Sequence, residues 1–401
     1  MIDLEEYDYE LPEALIRKVG VEPRDSSRLF VYDMATDTIT HTRFSELAKY
    51  LPEQSVMVLN ATKVVPARLW LRKPTGGKIE VFVLANEMNS PLSWAEEREG
   101  VRLNTDAIKP GSRIKCGMTN SEIPILVDRK CEVGWQLTFP NGDYLEVTRQ
   151  EENKFFAKLH SFSTQPHPSP LLRKGEGEQA LMKLLDQYGE TPIPHYLEDK
   201  QEIAGQAKDE REQQLRKRYQ TIFARSGASV AAPTASLHFT QEVFNSLDAK
   251  QIERVEVTLN VGLGTFAPLR EENFTTGKLH TEYIEVSKTT ANIINEAKQS
   301  KQNIVAVGTT ALRTIESVAQ RGDGKMVAYE GKTDIFIYPP YQFQIADSLV
   351  TNFHLPKSSL MLLVDAFLQH KHAKRNIQAL YQEAIREGYA FYSFGDSMLI
   401  L

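Results

Sequence analysis

Apolar runs and segments with helical spacing alternate along the second half of the chain. Residues 255–261 place an apolar side chain at every second position, which predicts a strand, and residues 304–307 form an apolar run that predicts a buried strand. Apolar stripes with helical spacing occupy residues 312–319, 360–367 and 377–385. Strands that alternate with helices in this way predict a layered α/β domain with a largely parallel sheet.

A different pattern occupies residues 71–151, where short β-rich segments are separated by turn signals such as Pro140-Asn141-Gly142-Asp143. Little of this stretch has helical spacing, so we expect a small all-β domain. It interrupts the α/β domain, which then consists of residues 1–70 and 152–401. Residues 161–178 are rich in Pro, Gly and Ser and predict a disordered insertion.

Composition restricts the class of protein. The 401 residues are 41% hydrophobic and 25% charged, as in ordinary soluble globular proteins. Two cysteines, Cys116 and Cys131, cannot build a disulfide framework, and the acidic N-terminus lacks the features of a signal peptide. The apolar run at residues 360–368 is too short to span a bilayer. We therefore expect a cytoplasmic protein without membrane association. The net charge of −6 means that an RNA partner would need a local basic patch.

The segment at residues 230–240 passes from an apolar strand to a polar loop. Pro233 cannot donate to a sheet ladder, so the strand is expected to end there, and Thr234, Ser236 and His238 follow. Ligand sites of α/β proteins lie where buried strands open into polar loops. The alternative is an ordinary turn in which Thr234 or Ser236 caps the next element.

Two more segments hold residues suited to ligand binding. Gly262, Gly264 and Thr265 follow the strand that ends at residue 261, and the glycines allow a backbone close to a ligand. His280 and Glu282 stand two residues apart on a predicted strand, so their side chains point to the same side. They suit a general base with its orienting carboxylate, two metal ligands, or a surface ion pair.

Two predicted helix starts carry further polar residues. Thr309, Thr310 and Arg313 follow the strand at residues 304–307, and the free amides of the helix start suggest a site for a phosphate or carboxylate. The alternative is a well-capped helix with Arg313 on the surface. The second start has the densest polar set, which includes Asn352, His354, Lys357, Ser358 and Ser359. A helix cap needs only one of these side chains, so the others suggest a further role.

Other site classes fit the sequence less well. A zinc site would combine His238, His280, Glu282 and His354, but the chain has no Cys-x-x-Cys and no His-Glu-x-x-His motif. It also has no Gly-x-Ser-x-Gly motif of a serine hydrolase and no Walker-type loop of a nucleotide kinase. Among these enzyme classes, a metal hydrolase is the alternative that remains.

Taken together, these segments resemble a known family, the S-adenosylmethionine:tRNA ribosyltransferase-isomerases of queuosine biosynthesis. The resemblance covers nearly the whole chain. It rests on the strings at residues 7–12, 24–29, 60–69, 76–80, 231–239, 261–266, 307–313, 336–341, 351–358 and 393–400.

The resemblance implies a fold and a reaction. The fold is an α/β domain with a small inserted β-barrel. In the reaction, the ribosyl moiety of S-adenosylmethionine is transferred to the 7-aminomethyl-7-deazaguanine (preQ1) wobble base of tRNA. Isomerisation then gives epoxyqueuosine, and adenine and methionine are released. S-adenosylmethionine is a consumed co-substrate in this scheme, and no metal is expected.

The resemblance also gives the candidate residues roles. A base must remove a proton from the ribose carbon next to the sulfonium, and His280 with Glu282, or His354, is the candidate. Arg313 is the candidate partner of the methionine carboxylate or of an RNA phosphate. The residues expected to orient the ribose or adenine, or to bind the co-substrate otherwise, are His238, Thr234, Asn352, Gly262, Gly264, Thr265, Thr309, Thr310 and Lys357. The residues expected to contact tRNA are Asn60, Lys63, Arg68, Arg72 and Lys357.

The chain departs from the family pattern at several positions, mostly by loss of positive charge or amide. The departures are Ala61, Asn104 to Ala107, Thr281, Pro340 and Ala390. They leave open a divergent paralogue that uses S-adenosylmethionine on another RNA or nucleoside. A non-catalytic RNA-binding protein is a further alternative, although basic patches alone would not require His, Glu and Asn in successive loops. We expect a monomer.

Overall fold

A computed structural model describes residues 2–88, 122–161, 176–193, 208–262, 264 and 268–401. The chain forms two compact units. The first consists of Met1–Val64, Ile193–Arg225 and Ser229–Leu401, and the second of Val65–Pro192 and Ser226–Ala228.

The strands and helices follow one another along the chain as two interleaved series. The strands are β1 (Arg28–Asp33), β2 (Thr38–Arg43), β3 (Val56–Asn60), β4 (Thr62–Val64), β5 (Arg68–Arg72), β6 (Lys78–Val83), β7 (Ile123–Val127), β8 (Gln136–Thr138), β9 (Tyr144–Glu151), β10 (Lys154–His160), β11 (Ser226–Ser229), β12 (Glu253–Asn260), β13 (Lys278–Val286), β14 (Ile304–Val307), β15 (Tyr329–Ile335), β16 (Ser348–Asn352) and β17 (Ser397–Ile400). The α-helices are α1 (Leu47–Tyr50), α2 (Glu176–Tyr188), α3 (Lys208–Arg218), α4 (Gln241–Ala249), α5 (Glu271–Thr276), α6 (Lys288–Gln299), α7 (Gly308–Arg321), α8 (Ser359–His370) and α9 (Ile377–Arg386).

The first unit contains a nine-stranded sheet in the order β15-β13-β12-β3-β14-β16-β17-β1-β2. The four strands β12, β3, β14 and β16 are mutually parallel, and β17 is parallel to β1. The remaining neighbours pair antiparallel. The α/β class is therefore confirmed, but the prediction of a largely parallel sheet is wrong, because antiparallel strands extend both edges and the sheet is mixed.

Both faces of the central strands β3 and β14 are buried, which explains the apolar runs at residues 56–59 and 304–307. In β3, Val56 and Val58 pack in the core that holds α6 to α9, while Met57 and Leu59 pack in a second core with α1 and α4. The side chains of β14 alternate between the same two cores. Successive strand residues point to opposite faces, so a strand covered on both sides needs apolar residues at every position.

The second unit is built around six antiparallel strands whose pairing order, β10-β7-β6-β5-β8-β9, closes on itself. Its strands show the alternation of a sheet with one buried face. In β6, for example, Ile79, Val81 and Val83 are fully buried while the residues between them reach the surface.

Helix α2 also belongs to the second unit. Leu181, Leu184 and Leu185 have helical spacing and are buried, which gives the helix an apolar face. The predicted disordered insertion at residues 161–178 is therefore wrong at its end, since residues 176–178 form the first turn of α2. Residues 162–175 of that prediction lie outside the described residues. Within the described part of the chain, no helix is long and apolar enough to cross a membrane.

Asn60 joins two parallel strands at their carboxyl ends. Its Oδ1 accepts from the amides of Thr62 (3.2 Å) and Leu259 (3.0 Å), and its Nδ2 donates to the Leu259 carbonyl (3.0 Å). The side chain is fully buried. This arrangement does not fit the predicted tRNA contact of Asn60, because its polar atoms are enclosed and bonded to the backbone.

Replacement of Asn60 by Ala should destabilise the fold. The substitution removes three buried hydrogen bonds and leaves backbone groups of Leu259 without a partner, so we expect a loss of about 2–4 kcal/mol in the free energy of unfolding, measured by urea denaturation. Asn245→Ala, at an exposed position of α4, is the matched control and should change stability by no more than about 0.5 kcal/mol. A stable Asn60→Ala protein with weakened tRNA binding would restore the tRNA role.

Candidate functional site

The first unit contains a cavity of about 310 Å³ at the carboxyl ends of its parallel strands. Its lining lies beyond the ends of β12, β14 and β16, in the loop after β11, and at Tyr392 and Ser393 before β17. The lining residues that carry polar side chains are Thr234, Thr309, Thr310, Thr351, Asn352, His354, Lys357, Ser358, Ser359, Tyr392 and Ser393. This is the place where open α/β sheets bind ligands.

The wall of the cavity after β14 is the first turn of α7. Gly308 has a φ of +83°, a left-handed conformation that favours glycine, so the chain can turn from strand into helix there. Val307, which precedes the helix, provides no side-chain cap. Thr309 and Thr310 are both less than 10% exposed, and within the described part of the chain the buried Thr310 hydroxyl has no hydrogen-bond partner.

Two loops of the cavity are held together by side-chain hydrogen bonds. The Thr234 hydroxyl donates to Asn352 Oδ1 at 2.8 Å, and Asn352 Nδ2 lies 3.5 Å from the carbonyl of Asp396. Thr234 begins a short 3-10 turn after Pro233, and Asn352 is the last residue of β16. The structure thus brings these two predicted residues together at one cavity.

His354 is fixed in the same cavity by three hydrogen bonds. Its Nε2 lies 2.9 Å from the Thr351 hydroxyl, its amide donates to the Tyr381 hydroxyl at 2.9 Å, and its carbonyl accepts from the Tyr9 hydroxyl. Burial lowers the pKa of His354 to about 3. The imidazole is therefore neutral at neutral pH.

A second, smaller cavity of about 20 Å³ lies next to the first and shares Pro268, Ser359 and Leu360 with it. His280 and Gly264 line this smaller cavity. The His280 ring packs so closely on Gly264 that a Cβ there would lie 2.2 Å from His280 Cγ. A larger side chain at position 264 would collide with His280, so a contact within the protein explains this glycine. Thr265 lies outside the described residues.

A buried ion pair also borders the smaller cavity. Arg313 Nη1 and Glu282 Oε2 are 2.6 Å apart, and both side chains are less than 5% exposed. Glu282 Oε1 accepts from the Gly262 amide at 3.1 Å. The prediction that Arg313 binds a substrate anion does not fit this geometry, because its charge is already compensated by Glu282. Loss of either partner would leave an uncompensated buried charge.

His238 lies outside the main cavity. It is 5% exposed, its Nδ1 is 2.9 Å from the Ser27 hydroxyl, and its ring packs on Phe44. It lines a separate cavity of about 20 Å³. The structure therefore does not bring His238 together with Thr234 and Asn352, and its contact with the co-substrate stays a prediction. After the turn at Thr234–Ser236 the chain leads away from the main cavity. Thr234 therefore lines that cavity and His238 does not.

The predicted tRNA-binding cations have different surroundings. Lys357 lines the main cavity, but its Nζ is 2.7 Å from Glu5 and 2.8 Å from Asp8, which compensate its charge. In the second unit, Arg68 Nε lies 2.5 Å from Glu80 and Arg72 is exposed. Lys63, in the first unit, is half-buried.

Two of the departures from the family pattern lie in the core. Ala61 is 4% exposed and its amide donates to the Val257 carbonyl, and Ala390 is 6% exposed and its amide donates to Asp396. Pro340 is exposed. The expected departure at residues 104–107 lies outside the described residues.

Sequence reasoning missed part of the cavity wall. Tyr392 and Ser393 line the cavity but follow no strand that the sequence marks. Tyr392 has a φ of +71° and Lys357 a φ of +54°, so two non-glycine residues at one cavity have a left-handed backbone. Such conformations concentrate at functional sites, but the sequence gives no sign of them.

The structure describes one group of three side chains with metal-ligand spacing. His41, Glu383 and Glu387 bring ligand atoms within 4.8 Å of one another among the described residues. None of the three lines the main cavity. The zinc alternative built on His238, His280, Glu282 and His354 gains no support from this group.

The buried His238 should make the protein less stable in acid. Burial lowers the pKa of His238 to about 4, from the 6.5 that is usual for histidine. Between these values the unfolded chain binds more protons, so the free energy of unfolding falls as the pH drops from about 6.5 towards 4. Between pH 7 and 4.5 we expect the free energy of unfolding, measured in urea, to fall by about 2 kcal/mol less in His238→Asn, which removes the titration, than in the unmodified chain. The same pH dependence in both proteins would contradict a neutral buried His238.

Comparison with known proteins identifies the family of the chain. A family model described as queuosine biosynthesis protein matches residues 4–400. An S-adenosylmethionine:tRNA ribosyltransferase-isomerase of Moorella thermoacetica is 40% identical over 399 residues, and one of Carboxydothermus hydrogenoformans is 39% identical, each with 99% of both chains covered. A crystal structure of S-adenosylmethionine tRNA ribosyltransferase from Thermotoga maritima matches at 28% identity and a TM-score of 0.48, covering 99% of this chain and 100% of that one. The chain therefore belongs to the family of queuosine biosynthesis proteins.

Proposed function

We propose that the protein is an S-adenosylmethionine:tRNA ribosyltransferase-isomerase. It transfers the ribosyl moiety of S-adenosylmethionine to the preQ1 wobble base of tRNA and isomerises it to epoxyqueuosine, with release of adenine and methionine. The observation that carries this proposal is the 40% identity to a relative of that name over 99% of both chains. The similarity to this relative extends over the full length of the chain, so it includes both units of the structure.

The main cavity is the proposed site for S-adenosylmethionine. Its volume of about 310 Å³ lies within the usual range for small-molecule sites. Apolar residues such as Val261, Phe353 and Leu360 form part of its wall, and Asn352 and His354 supply hydrogen-bonding groups. Such a mixture suits a ligand with methyl and methylene groups around a central sulfonium and polar groups at its ends. Asn352 and His354 orient the ribose or the adenine in this proposal.

The two histidines take different parts in the proposed reaction. A proton must leave the ribose carbon next to the sulfonium, and a general base works best with a pKa near the working pH. The pKa of His354 is far below that range, so we assign it a neutral hydrogen-bonding role. His280, on β13 beside the smaller adjoining cavity, is the proposed base, and the Glu282–Arg313 pair fixes its strand to α7.

The proposal also includes contacts with tRNA and a location in the cell. Arg72 is exposed on β5, and Lys63 is half-buried on β4, so both are proposed to contact RNA phosphates. The protein is proposed to act in the cytoplasm, as a monomer and without a metal.

The reaction can be tested in one assay. The purified protein is incubated with S-adenosylmethionine and with tRNA that carries preQ1 at the wobble position, and adenine and the modified nucleoside are quantified. We expect equimolar adenine and epoxyqueuosine, and no adenine when the tRNA carries guanine there. Adenine release without a new nucleoside, or no release at all, would contradict the proposal.

The roles of the histidines predict a graded loss of activity. His280→Ala should lower the turnover number by a factor of about 10² to 10⁴, because it removes the general base. His354→Ala should lower it less, roughly 10- to 100-fold, because it removes a hydrogen-bonding group and not the base, with the fold intact by circular dichroism. The control is His372→Asn, at an exposed position away from both cavities, which should keep full activity. Full turnover in both alanine variants would exclude these histidines from the reaction.

A further inference from the structure

The main cavity has little free positive charge. Among the described residues that line it, Lys357 is the one with a charged side chain, and Glu5 and Asp8 compensate that charge. Arg313, on the neighbouring turn of α7, is bound to Glu282. A carboxylate that enters this cavity must therefore be held by groups other than a free cation.

The first turn of α7 provides such groups. The first four amides of an α-helix have no partner within the helix, and the helix dipole places partial positive charge at this end. Helix α7 has 14 residues and no side-chain cap at Val307. Helix α8 also begins at the cavity, but its N-terminus is already capped, because Ser358 accepts from the Met361 amide at 3.3 Å.

Thr310 gives a second, independent sign of a ligand at this turn. It is only 9% exposed, it lines the cavity, and its hydroxyl is buried without a hydrogen-bond partner among the residues that the structure describes. Its Oγ1 lies on the side of Gly308, 3.6 Å from the position that a Cβ on that glycine would take. A buried hydroxyl without a partner costs free energy, and an acceptor oxygen from a ligand would remove that cost.

We propose that the first turn of α7 binds the methionine carboxylate of S-adenosylmethionine, with the amides of Thr309 and Thr310 and the Thr310 hydroxyl as donors. This inference rests on the proposed function and adds the orientation of the co-substrate to it. The amino-acid end lies at α7, and the ribose and adenine lie towards Asn352 and His354. A phosphate of RNA has similar chemistry, but the burial of both threonines favours a small carboxylate.

The test compares two ligands that differ in the carboxylate alone. The dissociation constants of S-adenosylmethionine and decarboxylated S-adenosylmethionine are measured by calorimetry, with saturating tRNA that carries guanine at the wobble position and cannot accept the ribosyl group. We expect Thr310→Val to weaken S-adenosylmethionine binding roughly 10- to 100-fold, the usual effect of a hydrogen bond to a charged group. Binding of the decarboxylated ligand should change less than about threefold.

Two further variants act as controls. Thr310→Ser keeps the hydroxyl and should restore S-adenosylmethionine binding to within a few-fold. Thr275→Val removes an exposed hydroxyl on α5, outside the cavity, and should leave both ligands unaffected. The melting temperature of each variant reports whether the fold is retained.

The outcomes separate this inference from the proposed function. Equal losses for both ligands in Thr310→Val, or no loss for either, would overturn the carboxylate site while leaving the enzyme assignment in place. A weaker affinity for tRNA alone would show that the turn binds an RNA phosphate, and would also overturn it. If the unmodified protein binds neither ligand, the proposed function fails together with the inference.

Discussion

Parallel pairing of β12, β3, β14 and β16 is the constraint on which the rest of the structure depends. Strands that run in the same direction end at the same edge of a sheet, so four chain segments far apart in sequence must leave the core side by side. Their backbone groups and polar side chains need partners there. Asn60 satisfies the backbone of β12, and Asn352 bonds to Thr234 across the cavity. The cavity is the space between these loops.

The charged side chains at this edge of the sheet mainly form ion pairs within the protein. Arg313 and Glu282 connect α7 to β13 inside the protein, and Lys357 connects the cavity loop to the N-terminal segment through Glu5 and Asp8. Neither the buried pair of Arg313 nor the exposed pairs of Lys357 is expected to add much stability. Recognition of an anion then falls to backbone amides and a hydroxyl. These groups are fixed by the helix itself and keep their polarity at any pH at which the protein is folded.

Some of this could be predicted from the sequence. The central strands β3 and β14 were recognisable because both of their faces are buried, which leaves apolar residues at every position of β14 and at all positions of β3 before Asn60. The edge strand β2 is largely exposed and polar, so the antiparallel edges left little apolar signal and the sheet was predicted as largely parallel. The site loops at Thr234, Thr309 and Asn352 were recognisable because each follows a buried strand. Their convergence on one cavity required the fold.

The partners of single side chains could not be predicted. Asn60 bonds to Leu259 and Lys357 pairs with Glu5, contacts that join residues about 200 and 350 positions apart and follow from no local pattern. The placement of His238 depends on the direction of the short turn before it, which the sequence does not specify.

The central claim is that the strand ends of the large sheet form the site of S-adenosylmethionine. A crystal structure of the protein with S-adenosylmethionine bound tests it most directly. The account predicts the co-substrate in the cavity of the first unit, with its carboxylate at the amides of Thr309 and Thr310 and its ribose and adenine near Asn352 and His354. A co-substrate bound outside this cavity, or with its adenine at the first turn of α7, would contradict it.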